Sequence, residues 1–299
     1  MGILEIKGIT KRFGDKEVLR GLDMDVPEGC VFGFIGRNGA GKTTTMKAVL
    51  GLLPVDSGEI YVGGERVRYG QNATNRYIGY LPDAPEFYSF MTPMEYLRLC
   101  GNSLGIRSSE IEKRSKELLS AVGLTADVNR RIKVFSRGMK QRLGIAQALI
   151  GRPKLLLCDE PTSALDPVGR REILDTLVSV KEETTVVLST HILSDVERIC
   201  DRALFLEQGK AMLCGSVDEL KRVNDVREFY LETSDEAGKS AVLEAFPDAR
   251  IESDGLIFSG DVERMRQVIS FVAEKGIDIE KIEKIEPSLE SVFMEVTKK

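Results

Sequence analysis

The stretch Gly36-Arg37-Asn38-Gly39-Ala40-Gly41-Lys42-Thr43-Thr44 decides the fold, because it fits the phosphate-binding pattern G-x-x-x-x-G-K-[ST], called Walker A. Glycines let backbone N–H groups turn towards an anion, and the helix that follows points its positive end at the same anion. Lys42 can reach the outer phosphates of a nucleotide, and Thr43 can bind Mg²⁺. The residues predicted to bind the nucleotide here are Gly36, Asn38, Gly39, Ala40, Gly41, Lys42, Thr43 and Thr44.

The sequence on either side of this loop supplies the strand and the helix that the pattern requires. Cys30-Val31-Phe32-Gly33-Phe34-Ile35 is typical of a short buried strand, and Thr44 to Leu53 of a helix with one apolar face. The alternative is a Gly-rich turn without a ligand. Since a bare turn has no need of the Lys42-Thr43 pair, the phosphate site is the favoured interpretation.

The composition limits the class of protein. The 299 residues are 42% hydrophobic and 30% charged, which is typical of a soluble globular chain of two domains, or of one large and one small domain. The net charge of −5 argues against nucleic acid as the main partner. No apolar run reaches the ~18 residues that a membrane span needs, and the N-terminus lacks the features of a secretion signal. Five scattered cysteines favour buried thiols in a reducing compartment, so we expect a cytosolic protein.

The order of the predicted elements indicates how the chain is organised. From Lys154 onwards, apolar strands alternate with helices, which is typical of a parallel sheet covered on both faces. Thr92, Pro93 and Glu95 carry the signals of a helix start, with a Ser/Thr cap, a first-position proline and a capping-box acid. Residues from about 226 to 285 are predicted to form a βαββαβ module.

Two acids and a histidine follow predicted strands. Leu155-Leu156-Leu157-Cys158-Asp159-Glu160 is an apolar strand that ends in acids, which is the Walker B arrangement. Asp159 is placed to bind Mg²⁺, and Glu160 to act on a water molecule in line with the γ-phosphate. His191, the only histidine, follows the strand that ends at Thr190, and the ligands of open α/β sheets bind at that edge. We therefore expect His191 to contact the γ-phosphate or to orient Glu160.

The segment Phe135-Ser136-Arg137-Gly138-Met139-Lys140-Gln141-Arg142 precedes an apolar helix that runs to Ile150. Ser136 and Gly138 at a helix N-terminus can bind an anion through a hydroxyl, backbone N–H groups and the helix dipole. The alternative is an ordinary capped helix. Basic residues are unfavourable at a helix N-terminus unless an anion lies nearby, which favours the anion site.

Together these motifs resemble those of the ATP-binding cassette (ABC) ATPases, in the family's order and spacing, over residues 1–222. The tail from Glu286 to Met294 is similar to the C-terminal extension of cassettes that serve ABC-2 type exporters. The resemblance implies an α/β fold of the P-loop NTPase class. Its expected parts are a mixed or parallel sheet core, an antiparallel β subdomain, a helical subdomain at about 84–152, and a small α+β C-terminal domain at 223–299.

The resemblance also implies roles for single residues. In one protomer, Phe13 matches the aromatic that stacks on adenine, Asp159 the Mg²⁺ ligand, Glu160 the catalytic base and His191 the γ-phosphate switch. Lys42 and Mg²⁺ would stabilise the charge that develops during hydrolysis. Three further residues match positions at the interface of a cassette dimer. Ser136 and Gly138 match residues that contact the ATP of the opposite protomer. Asp166, in the D-loop Ser163-Ala164-Leu165-Asp166, matches a residue at the dimer interface.

Two motifs depart from the family's pattern. Asp83 follows Tyr80-Leu81-Pro82 where the family has Gln or Glu, and aspartate is a shorter oxygen ligand that suits Mg²⁺. Arg137 and Met139-Lys140 replace the commonest signature residues, while Ser136 and Gly138 remain.

The resemblance predicts an ATP-hydrolysing subunit that binds ATP and Mg²⁺ and energises a separate permease. Its expected partners are a second ATPase protomer and an integral membrane permease, through which it would lie on the cytoplasmic face of the membrane. The alternatives are a cassette protein that acts on ribosomes or DNA, and a regulatory nucleotide-binding module. The helix Pro93–Leu99 lies where cassettes receive the permease, although its apolar residues are more often core than contact.

Overall fold

The computed structural model describes residues 2–163, 165–223, 228–285 and 288–297. The chain divides into two compact units, Met1–Val217 and Asp218–Lys299, which are taken in turn below. Parts of three predicted features lie outside the described residues: Ala164 of the D-loop, residues 226–227 of the first C-terminal strand, and Glu286-Pro287 of the tail pattern.

The strands of the first unit form two sheets. They are β1 (Leu4–Phe13), β2 (Lys16–Val26), β3 (Val31–Ile35), β4 (Ser57–Val62), β5 (Glu65–Arg66), β6 (Ile78–Leu81), β7 (Leu155–Asp159), β8 (Thr185–Thr190), β9 (Arg202–Glu207) and β10 (Lys210–Ser216). One sheet has the order β2-β1-β4-β5 and is antiparallel, and the other has the order β10-β9-β3-β8-β7-β6. The second sheet is parallel except for the β9–β10 hairpin, so the predicted mixed sheet core and antiparallel subdomain are confirmed.

The central strands are apolar at nearly every position, and β3, β7 and β8 are buried along their whole length. This burial is typical of parallel strands that are covered on both faces. The two sheets share one hydrophobic core, in which Ile6 and Ile9 of β1 pack with Phe32 and Phe34 of β3. The carboxyl ends of β3, β7 and β8 lead directly into the motifs predicted from the sequence.

The helices of the first unit are α1 (Lys42–Val49), α2 (Pro93–Ser103), α3 (Ser108–Ala121), α4 (Arg137–Leu149), α5 (Pro167–Ser179) and α6 (Leu193–Ile199), and α7 (Val217–Arg222) spans the boundary between the units. The predicted start and end of the first helix were wrong, because α1 begins at Lys42 rather than Thr44 and ends at Val49 rather than Leu53. Gly41 is its N-cap with φ 117°, and Gly51 at φ 68° follows its end. Lys42, Thr43 and Thr44 therefore lie in the first helical turn, where backbone N–H groups lack helical acceptors.

Helices α2, α3 and α4 make up the helical part of the unit. The predicted start of α2 is confirmed: Thr92 accepts from the N–H of Glu95, the Glu95 side chain accepts from the N–H of Thr92, and Pro93 is the first helical residue. Helix α4 packs against β6 at Gly144, where a Cβ atom would lie 2.5 Å from Leu81 Cδ1. This close approach fixes α4 against the edge of the central sheet.

The second unit contains β11 (Glu228–Thr233), α8 (Glu236–Ala245), β12 (Arg250–Glu252), β13 (Gly255–Ser259), α9 (Val262–Lys275), β14 (Ile279–Ile285) and α10 (Leu289–Thr297). Its sheet is antiparallel with the order β12-β13-β11-β14. The rings of Phe229 and Phe258 stack at 4.9 Å in its core. The predicted βαββαβ order is therefore found in this unit. In neither unit does any described helix have both the length and the apolarity that crossing a bilayer would require.

Candidate nucleotide-binding and catalytic site

A cavity of about 570 Å³ opens at the carboxyl ends of the central strands. Most of its lining residues were predicted from the sequence, but Lys16 and Val18, which β2 brings to the cavity, were not. Neither residue belongs to a recognised motif, so no sequence signal marked them. The lining consists of Phe13, Lys16, Val18, Asn38, Gly39, Gly41, Lys42, Thr43, Thr44, Asp83, Asp159 and Glu160.

The glycines of the loop are required by its geometry. Gly39 has φ 85° and Gly41 has φ 117°, which is a region that L-residues with side chains rarely adopt. A Cβ on Gly41 would also lie 2.8 Å from Leu19 Cδ2, and one on Gly36 would lie 2.6 Å from the carbonyl oxygen of Leu206. Gly36 and Ala40 do not line the cavity. Gly36 instead presents its carbonyl to Lys42, and Ala40 is buried.

The Lys42 ammonium is buried within the loop. Its Nζ donates to the carbonyl oxygens of Gly36 at 2.6 Å and Arg37 at 3.3 Å, and lies 3.1 Å from Glu160 Oε1. Two carbonyl oxygens and a carboxylate therefore surround this nitrogen away from bulk water. The Lys42 side chain is thereby held at the cavity that the loop lines.

Asp159 is buried and bound on both sides. Thr43 Oγ1 donates to its Oδ2 at 2.9 Å, and Ser189 Oγ donates to its Oδ1 at 3.0 Å. A hydroxyl beside a carboxylate is the hard oxygen donor set that Mg²⁺ prefers. The described residues include no cluster of three His, Cys, Asp or Glu side chains suited to a metal. Mg²⁺ nevertheless fits, because it usually takes one or two carboxylates and completes its shell with water and substrate phosphates.

Buried groups around Asp159 have shifted pKa values. Burial, and then the nearby Asp159 charge, raises the pKa of Tyr80 to about 12. Burial likewise raises the pKa of the Cys158 thiol, next to Asp159 in β7. Both groups therefore stay neutral at physiological pH.

Glu160 connects the loop to the histidine. His191 Nδ1 lies 2.8 Å from Glu160 Oε2, and the Glu160 N–H donates to the carbonyl of Ser189. Glu160 Oε1 is buried and has no hydrogen-bond partner in the described part of the chain, although Lys42 lies close enough for an ion pair. Glu160 also has φ 50°, an uncommon value for a non-glycine residue that three other described residues share. One oxygen of the carboxylate therefore faces His191, and the other faces the Lys42 ammonium.

Phe13 lies at the end of β1 on the rim of the cavity, and its side chain is 48% exposed. Lys11 Nζ lies 5.5 Å from the centre of its ring, in cation–π range. An exposed aromatic ring beside a phosphate loop is suited to stacking on a base.

Asp83 connects the cavity to the start of α4. Its Oδ1 accepts from Arg137 Nη2 at 3.3 Å, and its carbonyl accepts from Gln141 Nε2. The Asp83 carboxylate also lines the cavity, so the residue that replaces the family's Gln lies near the other phosphate-site residues.

Ser136, Gly138 and Asp166 do not line the cavity of their own chain. Ser136 caps α4 by accepting from the N–H of Met139, and Asp166 caps α5 by accepting from the N–H of Gly169. Among the described residues outside α4, the atom nearest to a Cβ placed on Gly138 is Leu165 Cδ2, at 3.9 Å, so this part of the structure leaves room beside the start of α4. The sequence prediction that Ser136 begins a helix is confirmed.

A buried network near the site was missed by the sequence analysis. Asp195 of α6 accepts from Thr162 Oγ1 at 2.7 Å and from Arg170 Nε at 2.5 Å, and its side chain is 1% exposed. Arg170 also donates to Ser194 Oγ at 2.7 Å. An acid in the first turn of a helix is so common that no sequence signal singled it out.

This fold and site define a P-loop ATPase. A family model described as ABC transporter matches residues 19–163. The uncharacterized ABC transporter ATP-binding protein YxlF of Bacillus subtilis (strain 168) is 34% identical over 98% of this chain and 99% of its own length. The bacitracin transport ATP-binding protein BcrA of Bacillus licheniformis is 35% identical over 98% and 97%. A solved structure of an ATP binding subunit of an ABC transporter has a TM-score of 0.67 and 33% identity, over 74% of this chain and 92% of its own.

The chain belongs to the ABC transporter ATP-binding proteins. It is therefore the ATP-binding subunit of an ABC transporter, in a family that hydrolyses ATP to power transport. Subunits of this family dimerise and work with membrane permeases. The predicted family and activity are thus confirmed, and the ribosome, DNA and regulatory alternatives are not favoured.

Proposed function

We propose that this chain energises an exporter of the ABC-2 type, and that Glu160 is the base for ATP hydrolysis. The observation that best supports the role of Glu160 is its contact with both Lys42, at 3.1 Å, and His191, at 2.8 Å, beside the phosphate loop. The proposed nucleotide-binding domain is 1–222 with its helical subdomain at 84–152, and the proposed C-terminal domain is 223–299. The division into two compact units supports two domains, and it falls after Val217, five residues before this boundary.

The proposed mechanism assigns one task to each group. The loop N–H groups and Lys42 bind the outer phosphates, and Phe13 stacks on the adenine. Glu160 takes the proton of the attacking water, while His191 holds the other carboxylate oxygen in place. Thr43 and Asp159, with Asp83 at the rim, are the proposed Mg²⁺ ligands. When bound, the ion would neutralise part of the charge on the phosphates.

The proposed site is completed by a second protomer. Ser136 and Gly138 lie at an open helix start whose first turn carries Arg137 and Lys140 and no acid. This arrangement suits a phosphate delivered from outside the chain. We propose that they contact the ATP of the partner, with Asp166 near the interface, and that the dimer binds an integral membrane permease on its cytoplasmic face.

The export direction rests on the relatives and the tail. BcrA carries bacitracin transport in its name, and it aligns with this chain almost from end to end, including the C-terminal unit. The Glu286 to Met294 pattern supports the same subfamily, although Glu286-Pro287 lies outside the described residues. Reconstitution with the permease that copurifies, followed by transport in inverted vesicles, tests the direction.

The substitution Glu160→Gln tests the base. We expect ATP hydrolysis to fall by roughly 10²–10⁴-fold, while ATP binding is kept and a dimer accumulates with ATP. Phosphate release measures the rate, and light scattering measures the dimer. Glu182→Gln, at an exposed acid away from the cavity, is the matched control and should leave both unchanged. A Glu160→Gln monomer that hydrolyses ATP at the wild-type rate would refute the assignment.

The substitution Ser136→Arg tests the completion of the site by a second protomer. We expect hydrolysis to be lost while the monomer still binds ATP, because the side chain lies outside its own cavity. Fluorescent-nucleotide titration measures monomer binding. Loss of a helix N-cap costs about 1 kcal/mol, so a circular-dichroism melt must show that the variant remains folded. Loss of nucleotide binding by a folded monomer would contradict the assignment.

A further inference from the structure

Strand β14 (Ile279–Ile285) is an exposed edge of the C-terminal sheet. It pairs antiparallel with β11 on one side, and the described residues provide no strand on its other side. Most of its residues are exposed, including Ile279 at 39%, and only Ile282 and Ile285 are half-buried. An edge of this kind presents unpaired N–H and C=O groups that can pair with another strand.

The sequence of β14 is self-complementary when it is read against itself. Ile279-Glu280-Lys281-Ile282-Glu283-Lys284-Ile285 can pair antiparallel with a second copy about a two-fold axis at Ile282. In that register Glu280 faces Lys284, Lys281 faces Glu283, and each isoleucine faces an isoleucine. Opposite charges directly across an antiparallel pair are stabilising, and two-fold symmetry produces each pair twice.

From Lys281 to Ile285 the faces of the strand agree with this register, whereas the pairing with β11 has an irregularity between Lys281 and Ile279. Ile282 pairs with Leu231 of β11 and packs against the hydrophobic core of the unit. Lys281 and Glu283 lie on the opposite face, where their side chains already form an ion pair at 2.7 Å. Pairing about Ile282 keeps equivalent faces on the same side, so the apolar layer of one copy continues into that of the other.

Charged side chains on an edge strand are also a common way to prevent pairing. The other edge strand of this sheet is β12, which has only three residues. An edge strand this short is protected against pairing with another chain. β14 has seven residues, contains no proline, and carries equal numbers of Glu and Lys in a pattern that attracts its own copy. The two interpretations differ in whether this full-length chain self-associates.

We propose that β14 binds β14 of a second copy of this chain, so that the two C-terminal sheets join into one continuous antiparallel sheet. This contact goes beyond the ATP-driven dimer, because it needs no nucleotide. Strand-to-strand contacts bury little area, so the contact alone is weak. A weak contact between two copies that another surface already holds together becomes intramolecular, and it then adds to the lifetime of the complex.

The first test reverses the charges of β14 in the full-length chain without nucleotide. Lys281→Glu/Lys284→Glu makes every charge on the strand negative, and Glu280→Lys/Glu283→Lys makes every charge positive. We expect each variant to self-associate at least ~10-fold more weakly than wild type in sedimentation velocity, and an equal mixture of the two to associate again. Arg266→Glu/Lys275→Glu on exposed positions of α9 has the same change in net charge as the first variant and should associate like wild type.

The second test reports the register. With Cys214→Ser as background, Ile282→Cys should form a disulfide dimer on mild oxidation, because residue 282 of each copy would lie opposite itself. Ile279→Cys should not, since its partner in this register is residue 285. A wild-type chain that stays monomeric up to about 100 µM, where contacts of this size begin to be populated, would overturn the proposal. The proposal would also be overturned if the mixed negative and positive charge variants failed to associate. Equal disulfide crosslinking of Ile279→Cys and Ile282→Cys would overturn it as well.

Discussion

Replacing Asp195 by alanine removes the acceptor of the buried network beside the site. Asp195 accepts from Thr162 and Arg170, and removing one partner of a buried ion pair costs about 3–5 kcal/mol. The Arg170 side chain is 30% exposed and keeps its hydrogen bond to Ser194. The cost of leaving Arg170 without Asp195 is therefore smaller than for a fully buried ion pair. We therefore expect a loss of about 2–4 kcal/mol in the free energy of unfolding, and about 1–2 kcal/mol for Asp195→Asn, which keeps an acceptor for Thr162.

The network also bears on activity. Thr162 lies two residues after Glu160, and Asp195 lies four residues after His191, so their hydrogen bond connects the segments that carry the two proposed catalytic residues. We expect Asp195→Ala to lower kcat several-fold and to change KM less, because no network residue lines the nucleotide cavity. Partial recovery of kcat in Asp195→Asn would separate this positioning role from a general loss of stability.

Urea unfolding followed by circular dichroism measures the stability, and phosphate release measures kcat. Because the chain has two compact units, each transition must be fitted separately. The control is Asp175→Asn, which breaks an exposed ion pair with Arg198 and should cost no more than about 1 kcal/mol. If Asp195→Ala unfolds within about 0.5 kcal/mol of wild type, as an ordinary surface substitution would, the reasoning on this network is refuted.

Two further predictions concern the loop and the cysteines. Gly41→Ala should abolish nucleotide binding in a titration, because a side chain would be strained at φ 117° and would meet Leu19; unchanged affinity would contradict the loop geometry. Ellman's reagent should react with Cys214 in the folded chain, because that side chain is exposed. Cys158 and Cys200 should react only after unfolding, even at about pH 9, because both are buried and burial raises the pKa of their thiols. Fast labelling of either buried thiol in the folded chain would contradict the described core.

The sequence predicted those parts of the site that depend on local pattern. The phosphate loop, the acids after β7 and His191 after β8 could be recognised because each lies where an apolar strand ends, and parallel strands end at one edge. The start of α2 could be read from Thr92 and Pro93, since capping depends on a few adjacent residues.

The rest depends on residues that are distant along the chain. Lys16 and Val18 reach the cavity because β2 brings them there, and Asp195 meets Thr162 only after the crossover from β7 through α5 to β8. The start of α1 was misplaced because Lys42 and Thr43 serve as both loop and helix, and sequence patterns place helix boundaries poorly.

The contacts of Lys42 imply a competition within the proposed site. The ammonium has three N–H donors, of which two are bound by carbonyl oxygens and the third faces Glu160. A phosphate oxygen that binds Lys42 must therefore draw the ammonium away from Glu160, which frees that carboxylate to accept a proton from water. Glu160→Gln removes the competing charge, so we expect it to bind ATP several-fold more tightly than wild type under conditions where the chain is monomeric. Equal or weaker binding in a fluorescent-nucleotide titration would show that Glu160 does not compete with phosphate for Lys42.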